Sequence, residues 1–211
     1  MFLDDPYPTN LPVVDACLAC NNGFSADEEY VACLIEAALA GTTEPDKIRR
    51  PSVAAILRRA PGLRARIDSA RAETDGNVSY KAELGRVRNV VLKLARGHAG
   101  YELSEPCRQE PTHVSIVPIG LFTKEQREEF EDANFPEIWP EVGSRAMQRM
   151  SVLQPRLSGP QGDGAFPGFI IQDWQDVQDE RYAYLATADG TEVRVRSIIG
   201  GYLACDVRWA Q

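Results

Sequence analysis

Apolar positions recur at helical spacing through the first half of the chain and alternate with polar ones near its end, a pattern that predicts helices followed by strands. Over residues 1–16, Pro6, Pro8 and Pro12 stand too close together for a helix and predict loop or extended chain. Ser25-Ala26-Asp27-Glu28 has the form of a capping box, the serine oxygen accepting from the Glu28 backbone N–H and the glutamate reaching back. A helix is therefore expected from Ser25, with Val31, Leu34, Ile35, Ala38 and Leu39 on one face and Gly41 as its C-terminal cap. Pro51, Val53, Ile56 and Leu57 predict a second helix, and Pro61-Gly62 separates it from an arginine-rich third over 63–73. Between Tyr80 and Arg96, Leu84, Val87, Val91 and Leu94 form one stripe that closes at Gly97.

Residues 113–119 then predict a strand with Pro118 at an edge or end, and Lys124 to Glu131 a short polar helix after Thr123. From Pro136 to Gly168 proline and glycine predict loops, with one helical stretch over 142–150. Strands are expected at 168–175, 181–187, 191–197 and 202–209, with Asp189-Gly190 as the hairpin turn between the second and third. In the last of these, Leu203, Cys205, Val207 and Trp209 alternate with Ala204, Asp206 and Arg208, giving one apolar and one largely wet face. The fold class this predicts is α+β: an N-terminal segment with a capped helix over 1–42, a helical region over 43–135, and a loop plus antiparallel meander over 136–211.

Charge sharpens the picture. The formal net charge of −8 argues against nonspecific coating of nucleic acid. Yet between Lys47 and Arg71 eight basic residues meet a single acid, Asp68. Arg49, Arg50, Arg58, Arg59, Arg64 and Arg66 in this stretch are the candidates for holding DNA phosphates; the competing reading is a solvated helical face whose acidic neighbours lie elsewhere in the fold. Five cysteines, an odd number at irregular spacing, and the lack of an apolar leader predict a reducing, cytoplasmic location, and no run is apolar enough to enter a membrane.

The chemistry concentrates in Cys17-Leu18-Ala19-Cys20. Two thiolates on a tight turn can face one tetrahedral zinc at about 2.3 Å, which makes half a site; a redox pair or two ordinary thiols are the alternatives. The run Asn10-Leu11, five residues, then Cys17-x-x-Cys20-Asn21 resembles the second strand and following helix of the HNH, or ββα-metal, endonuclease family. The continuation Ser25-x-Asp27-Glu28-Glu29-Tyr30-x-x-Cys33 resembles a branch of that family in which a capped helix follows the knuckle. The resemblance implies that Cys17 and Cys20 are the second pair of zinc ligands. It implies that Asn10 is the asparagine tying the ββα loop together, and that Asn21 stands where the family places a ligand to the catalytic magnesium or other divalent ion.

The first Cys-x-x-Cys and the Asp-His of the family motif are absent from these 211 residues. Phe2 to Pro8 resembles the family's linker after the catalytic histidine, so the expectation is a chain beginning inside the motif and inactive as it stands, or else a noncatalytic binding or interaction module derived from the family. Of the two histidines, His98 after Gly97 is expected to serve a helix C-terminus and His113 to be a structural strand residue. Cys33 and Cys205 are expected in the core, although a third zinc ligand at Cys33 is conceivable, and Cys107 is expected to be a loop thiol. Trp139, Trp174 and Trp209 lie too far apart in sequence to indicate a base-stacking platform.

Overall fold

A computed structural model describes residues 2–9, 11–15, 18–136, 140–154, 156–159, 162–165 and 168–211. It gives an α+β architecture. Helix α1 spans Leu18–Ala40, seven residues longer at its start than the capping-box pattern predicts. The Ser25 motif thus lies inside a continuous helix, where the Glu28 N–H is already engaged by the turn before it. The C-terminal end is as expected, with Gly41 at φ +67° supplying the left-handed residue that ends the helix. From Tyr30 to Ala37 every residue of α1 is buried, so this segment is enclosed on all sides.

Helices α2 (Pro51–Arg59) and α3 (Pro61–Ser69) each start on a proline, whose missing N–H is harmless at a first helical position. α3 stops before Arg71 because the chain enters a hairpin, β1 (Arg71–Thr74) and β2 (Asn77–Tyr80), around Asp75-Gly76. Both turn residues have positive φ, +51° and +78°, as a twisted two-residue turn requires. Helix α4 (Leu84–Leu103) runs through Gly97 and Gly100 to Ser104, itself left-handed at φ +62°. Its apolar stripe continues as Ala95, Ala99 and Leu103, and this extra burial outweighs the roughly 1 kcal/mol that each internal glycine costs.

Strand β3 (His113–Pro118) and helix α5 (Lys124–Glu131) fall where the sequence places them, α5 with a Thr123–Gln126 capping box. The stretch over 142–150 yields only one short helix, α6 (Arg145–Gln148). Short strands β4 (Ser151–Leu153) and β7 (Phe169–Ile171) pair with each other, as do β5 (Arg156–Gly159) and β6 (Gly162–Ala165). Strands β8 (Gln175–Gln178), β9 (Tyr182–Ala188), β10 (Glu192–Ile199) and β11 (Leu203–Ala210) join β3 in a five-stranded antiparallel sheet of order β3-β11-β10-β9-β8. At the Asp189 turn, Asp189 Oδ1 accepts from the Thr191 and Glu192 amides and from the Thr191 hydroxyl.

α4 packs against β9, β10 and β11 and also against α1, so one apolar cluster runs from Phe2 through both helices to Trp209. The opposite sheet face is less wet than alternation alone predicts, because α5 covers part of it. Arg196 is 4% exposed there, donating to the Phe130 carbonyl at 2.6 Å and lying 5.4 Å from the Trp174 ring. Beside it Asp206 accepts from Arg194 at 2.8 Å and from Arg208 at 2.8 Å. Burial raises the Asp206 pKa, but the two guanidinium hydrogen bonds outweigh it and hold the carboxyl below its ordinary range.

A second ionic cluster fastens the N-terminal segment. Arg50 Nε lies 2.6 Å from Asp4 Oδ1, Arg181 Nε 2.7 Å from Asp4 Oδ2, and both guanidiniums approach the buried Glu36. Gln178 bonds both the Asp4 amide and its carbonyl, and Phe2 is buried. The Asp5-Pro6 peptide bond beyond this anchor is cis.

Candidate functional site

Residues 11–15 carry no regular secondary structure and α1 begins at Leu18, so Cys20 and Asn21 occupy the first turn of a long, well-anchored helix. Asn10 and Cys17 lie outside the described residues, and so do the side chains of Cys20 and Asn21. Among the described residues no group of three or more His, Cys, Asp and Glu side chains is placed to hold a metal. Also among them, no helix is long and apolar enough to cross a membrane.

The remaining thiols are buried. Cys33 is 0% exposed in α1, and burial raises its thiol pKa to about 12; Cys205 in β11 is likewise raised to about 12. Both are core residues, as expected. Cys107 is a free loop thiol, as expected, and is 6% exposed because its loop folds back on α4, where Arg96 Nε donates to the Cys107 carbonyl at 3.0 Å.

The basic stretch is folded among acids. Arg58 meets Asp46 at 2.7 Å, Arg59 meets Glu29, Arg66 Nε lies 3.6 Å from Glu83, and Arg49 3.8 Å from Glu180. Arg50 is 3% exposed inside the Asp4 cluster, so it cannot reach a phosphate. This corrects its place among the candidate DNA contacts: burial commits its guanidinium to Asp4, Glu36 and the Leu3 carbonyl. Arg49, Arg58, Arg59 and Arg66 stay exposed and Arg64 is half-buried, and surface pairs of this kind are worth about 1 kcal/mol or less, so a phosphate can displace them.

A cleft of about 770 Å³ adjoins the start of α1. Its walls are the run from Pro12 to Asp15, Phe24 and Glu28 of α1, one side of α4, and the loop at 106–108. Lys93 bridges α4 to α1, donating to Glu28 at 2.7 Å while lying 5.2 Å over the Phe24 ring.

His98 also lines this cleft, in a role different from the helix-terminal one expected. α4 continues past it by more than a turn, and the imidazole is 6% exposed between α4 and β9. It stacks on Tyr184 at 3.6 Å between ring centroids, and its Nε2 lies 2.6 Å from the Tyr182 hydroxyl. Burial, with Arg149 nearby, lowers its pKa to about 3, so the ring is neutral. Tyr184 donates in turn to Glu102, which Arg149 approaches at 3.1 Å. His113, by contrast, is exposed at the head of β3, as expected.

The sequence reading missed this cluster, although two signals were present. His98 and Glu102 are four apart on one helix face, and Tyr182 and Tyr184 are two apart on one strand face. A second cleft of about 530 Å³ lies over β8 and β9. Its arginines Arg49, Arg127 and Arg181 are engaged by Glu180, Glu131 and Asp4.

No family model, curated protein or solved structure matches the chain.

Proposed function

We propose that this chain is an HNH-endonuclease-like module that contributes one side of a zinc-supported nuclease centre and does not itself hydrolyse nucleic acid. The observation that carries the reading is the order in sequence, Asn10-Leu11, five residues, then Cys17-x-x-Cys20-Asn21, together with the long helix that begins at Leu18. The Cys-x-x-Cys spacing of Cys17 and Cys20 suits one zinc. Asn10 and Asn21 would then be the family's loop-tying and metal-binding positions, and magnesium or another divalent ion would stabilise the phosphate's charge. Generating hydroxide needs a base. His98 is committed to Tyr182 and His113 heads a strand, so a His must come from a segment that also carries a second cysteine pair.

Cobalt substitution tests this. Cobalt held by Cys17 and Cys20 gives a thiolate-to-metal charge-transfer band, which Cys17→Ser with Cys20→Ser removes. Purified chain is expected to leave plasmid DNA intact with magnesium, and to nick it in an EDTA-sensitive way once a peptide bearing Cys-x-x-Cys and Asp-His is supplied. Absence of the thiolate band, or EDTA-sensitive cleavage by the chain alone, overturns the reading.

The second reading, a noncatalytic binding or interaction module, is favoured by the acidic partners of Arg49, Arg58, Arg59 and Arg66. It predicts neither the cobalt band nor nicking with the peptide.

A further inference from the structure

We infer that the Asp75-Gly76 turn is a modification site, where the chain isomerises to isoaspartate without an enzyme and so becomes a substrate for a carboxyl methyltransferase that uses S-adenosylmethionine. The first observation is access to the reacting atoms. Asp75, Gly76 and Asn77 are exposed, and a Cβ built on Gly76 would meet nothing within 4 Å. The Thr74–Asn77 pair closes the hairpin and leaves the Gly76 N–H outside the ladder. Among the described residues, neither that amide nor the Asp75 carboxylate has a hydrogen-bond partner.

The second observation is a contrast within the same chain. Of the three Asp-Gly pairs, Asp163-Gly164 has its side chains outside the described residues, and Asp189-Gly190 is the informative one. Asp189 Oδ1 accepts from the Thr191 hydroxyl at 2.7 Å, the Thr191 amide at 2.8 Å and the Glu192 amide at 2.9 Å. These bonds, that of the Thr191 hydroxyl first, hold the Asp189 carboxyl below its ordinary range. Ring closure needs the neutral acid, whose hydroxyl can leave, and a side chain able to turn toward the next amide. Asp189 is restrained on both counts, and the hydrogen bonds that restrain it have no counterpart at Asp75.

The third observation is that this hairpin can open. Two-stranded hairpins are marginal by themselves, and every residue of β1 is exposed. The pair is held through β2, where Val78 lies beside Gly41 and Tyr80 packs against the core. Local opening at the tip therefore breaks few contacts and lets the Gly76 nitrogen meet Asp75 Cγ.

The chemistry needs only water. As the bond from the Gly76 nitrogen to Asp75 Cγ forms, the Cγ–hydroxyl bond breaks, and the amide proton leaves with that hydroxyl as water. The cyclic imide then takes up water. Opening at Cγ restores aspartate, whereas opening at the Asp75 main-chain carbonyl leaves the chain running through Cβ with a free α-carboxylate. That carboxylate takes the methyl group from the sulfonium of S-adenosylmethionine, which departs as a neutral thioether. The inference does not depend on the zinc reading.

The test incubates the full chain at mildly acidic and at neutral pH, digests it with trypsin, and methylates the peptides with an isoaspartyl methyltransferase and labelled S-adenosylmethionine. Relative to a sample never incubated, label is expected in peptide 72–81, at about ten-fold the level in peptide 182–194, which carries Asp189. That factor is the cost of giving up one charge-assisted hydrogen bond. Asp75→Glu, whose longer side chain closes a ring far more slowly, is expected to remove the label from 72–81. Asp75→Asn keeps a dipeptide that suits the turn and is expected to raise it, the side-chain amide losing ammonia where the acid loses water. No gain of label in 72–81, equal label in the two peptides, or label in 72–81 that survives Asp75→Glu overturns the proposal.

Discussion

Tyr182 Oη and His98 Nε2 lie 2.6 Å apart, a hydrogen bond that joins the middle of α4 to the first residue of β9. The pair makes stability depend on pH. Folded His98 has its pKa lowered to about 3 from an ordinary 6.5, so between those values the unfolded chain binds the extra proton. This contribution is fully present above about pH 6.5 and is lost as pH falls toward 3. Urea midpoints measured at pH 7.5, 5.5 and 4.5 are expected to fall, and His98→Gln is expected to flatten that fall even though it is less stable at pH 7.5. Parallel curves for the two proteins would refute the assignment.

Arg50 is expected to be the costliest single surface-derived charge to remove. It is 3% exposed and bonds Asp4 and Leu3 while facing Glu36. Burial already raises the Glu36 pKa against the pull of Arg50 and Arg181. Arg50→Met leaves that carboxylate with less compensation and should destabilise the protein by about 3 kcal/mol in urea denaturation. Hydrogen exchange at the Asp4 amide should accelerate in the same variant, since the segment loses one of its anchors.

Two glycines with similar backbone angles separate conformational strain from collision. Gly76 has φ +78° with open space where a Cβ would stand, whereas Gly201 has φ +62° with the Glu180 carbonyl oxygen 2.8 Å from that position. Gly76→Ala is expected to cost about 1 kcal/mol. Gly201→Ala is expected to cost about 3 kcal/mol, because the obstacle is backbone and cannot rotate away. Thermal or urea denaturation that ranks them the other way would count against the turn geometry.

Weak duplex DNA binding, if it involves the stretch around α2 and α3, should be strongly salt-dependent and should use Arg58, Arg59 and Arg64. Retardation by the purified chain at low salt is expected to disappear in the triple Glu variant and to be indifferent to Arg50→Met once folding is matched. Equal retardation by wild type and the triple variant would remove these residues from the interface.

The elements whose signal is local were legible in the sequence. Proline at the first position of α2, Thr123 before α5, and alternation in β9 to β11 each act within a few residues, and each of these elements formed where expected, whereas α3, expected over 63–73, runs Pro61–Ser69. Errors came where tertiary packing overrode a local mark. Ser25 carries a capping pattern, but α1 begins at Leu18; Gly97 carries a stop pattern, but Ala99 and Leu103 gain enough burial to carry α4 through it. Asp75-Gly76 carries a hairpin signal, but the arginine-rich helix was expected to run to residue 73, over most of β1. The His98 cluster was not legible as a cluster, because its members are separated by more than 80 positions and meet only when α4 lies across the sheet.

The strand order also bears on how the chain is made. β11 sits between β3 and β10, and the strands that cover α4 follow it far downstream in the sequence. During synthesis the face of α4 that packs on β9, β10 and β11 leaves the ribosome well before those strands, and among the described residues β3 pairs only with β11, which is made last. Such long-range pairing slows folding and prolongs the exposure of sticky intermediates. Chaperone demand during translation should therefore concentrate on the interval between α4 and β9.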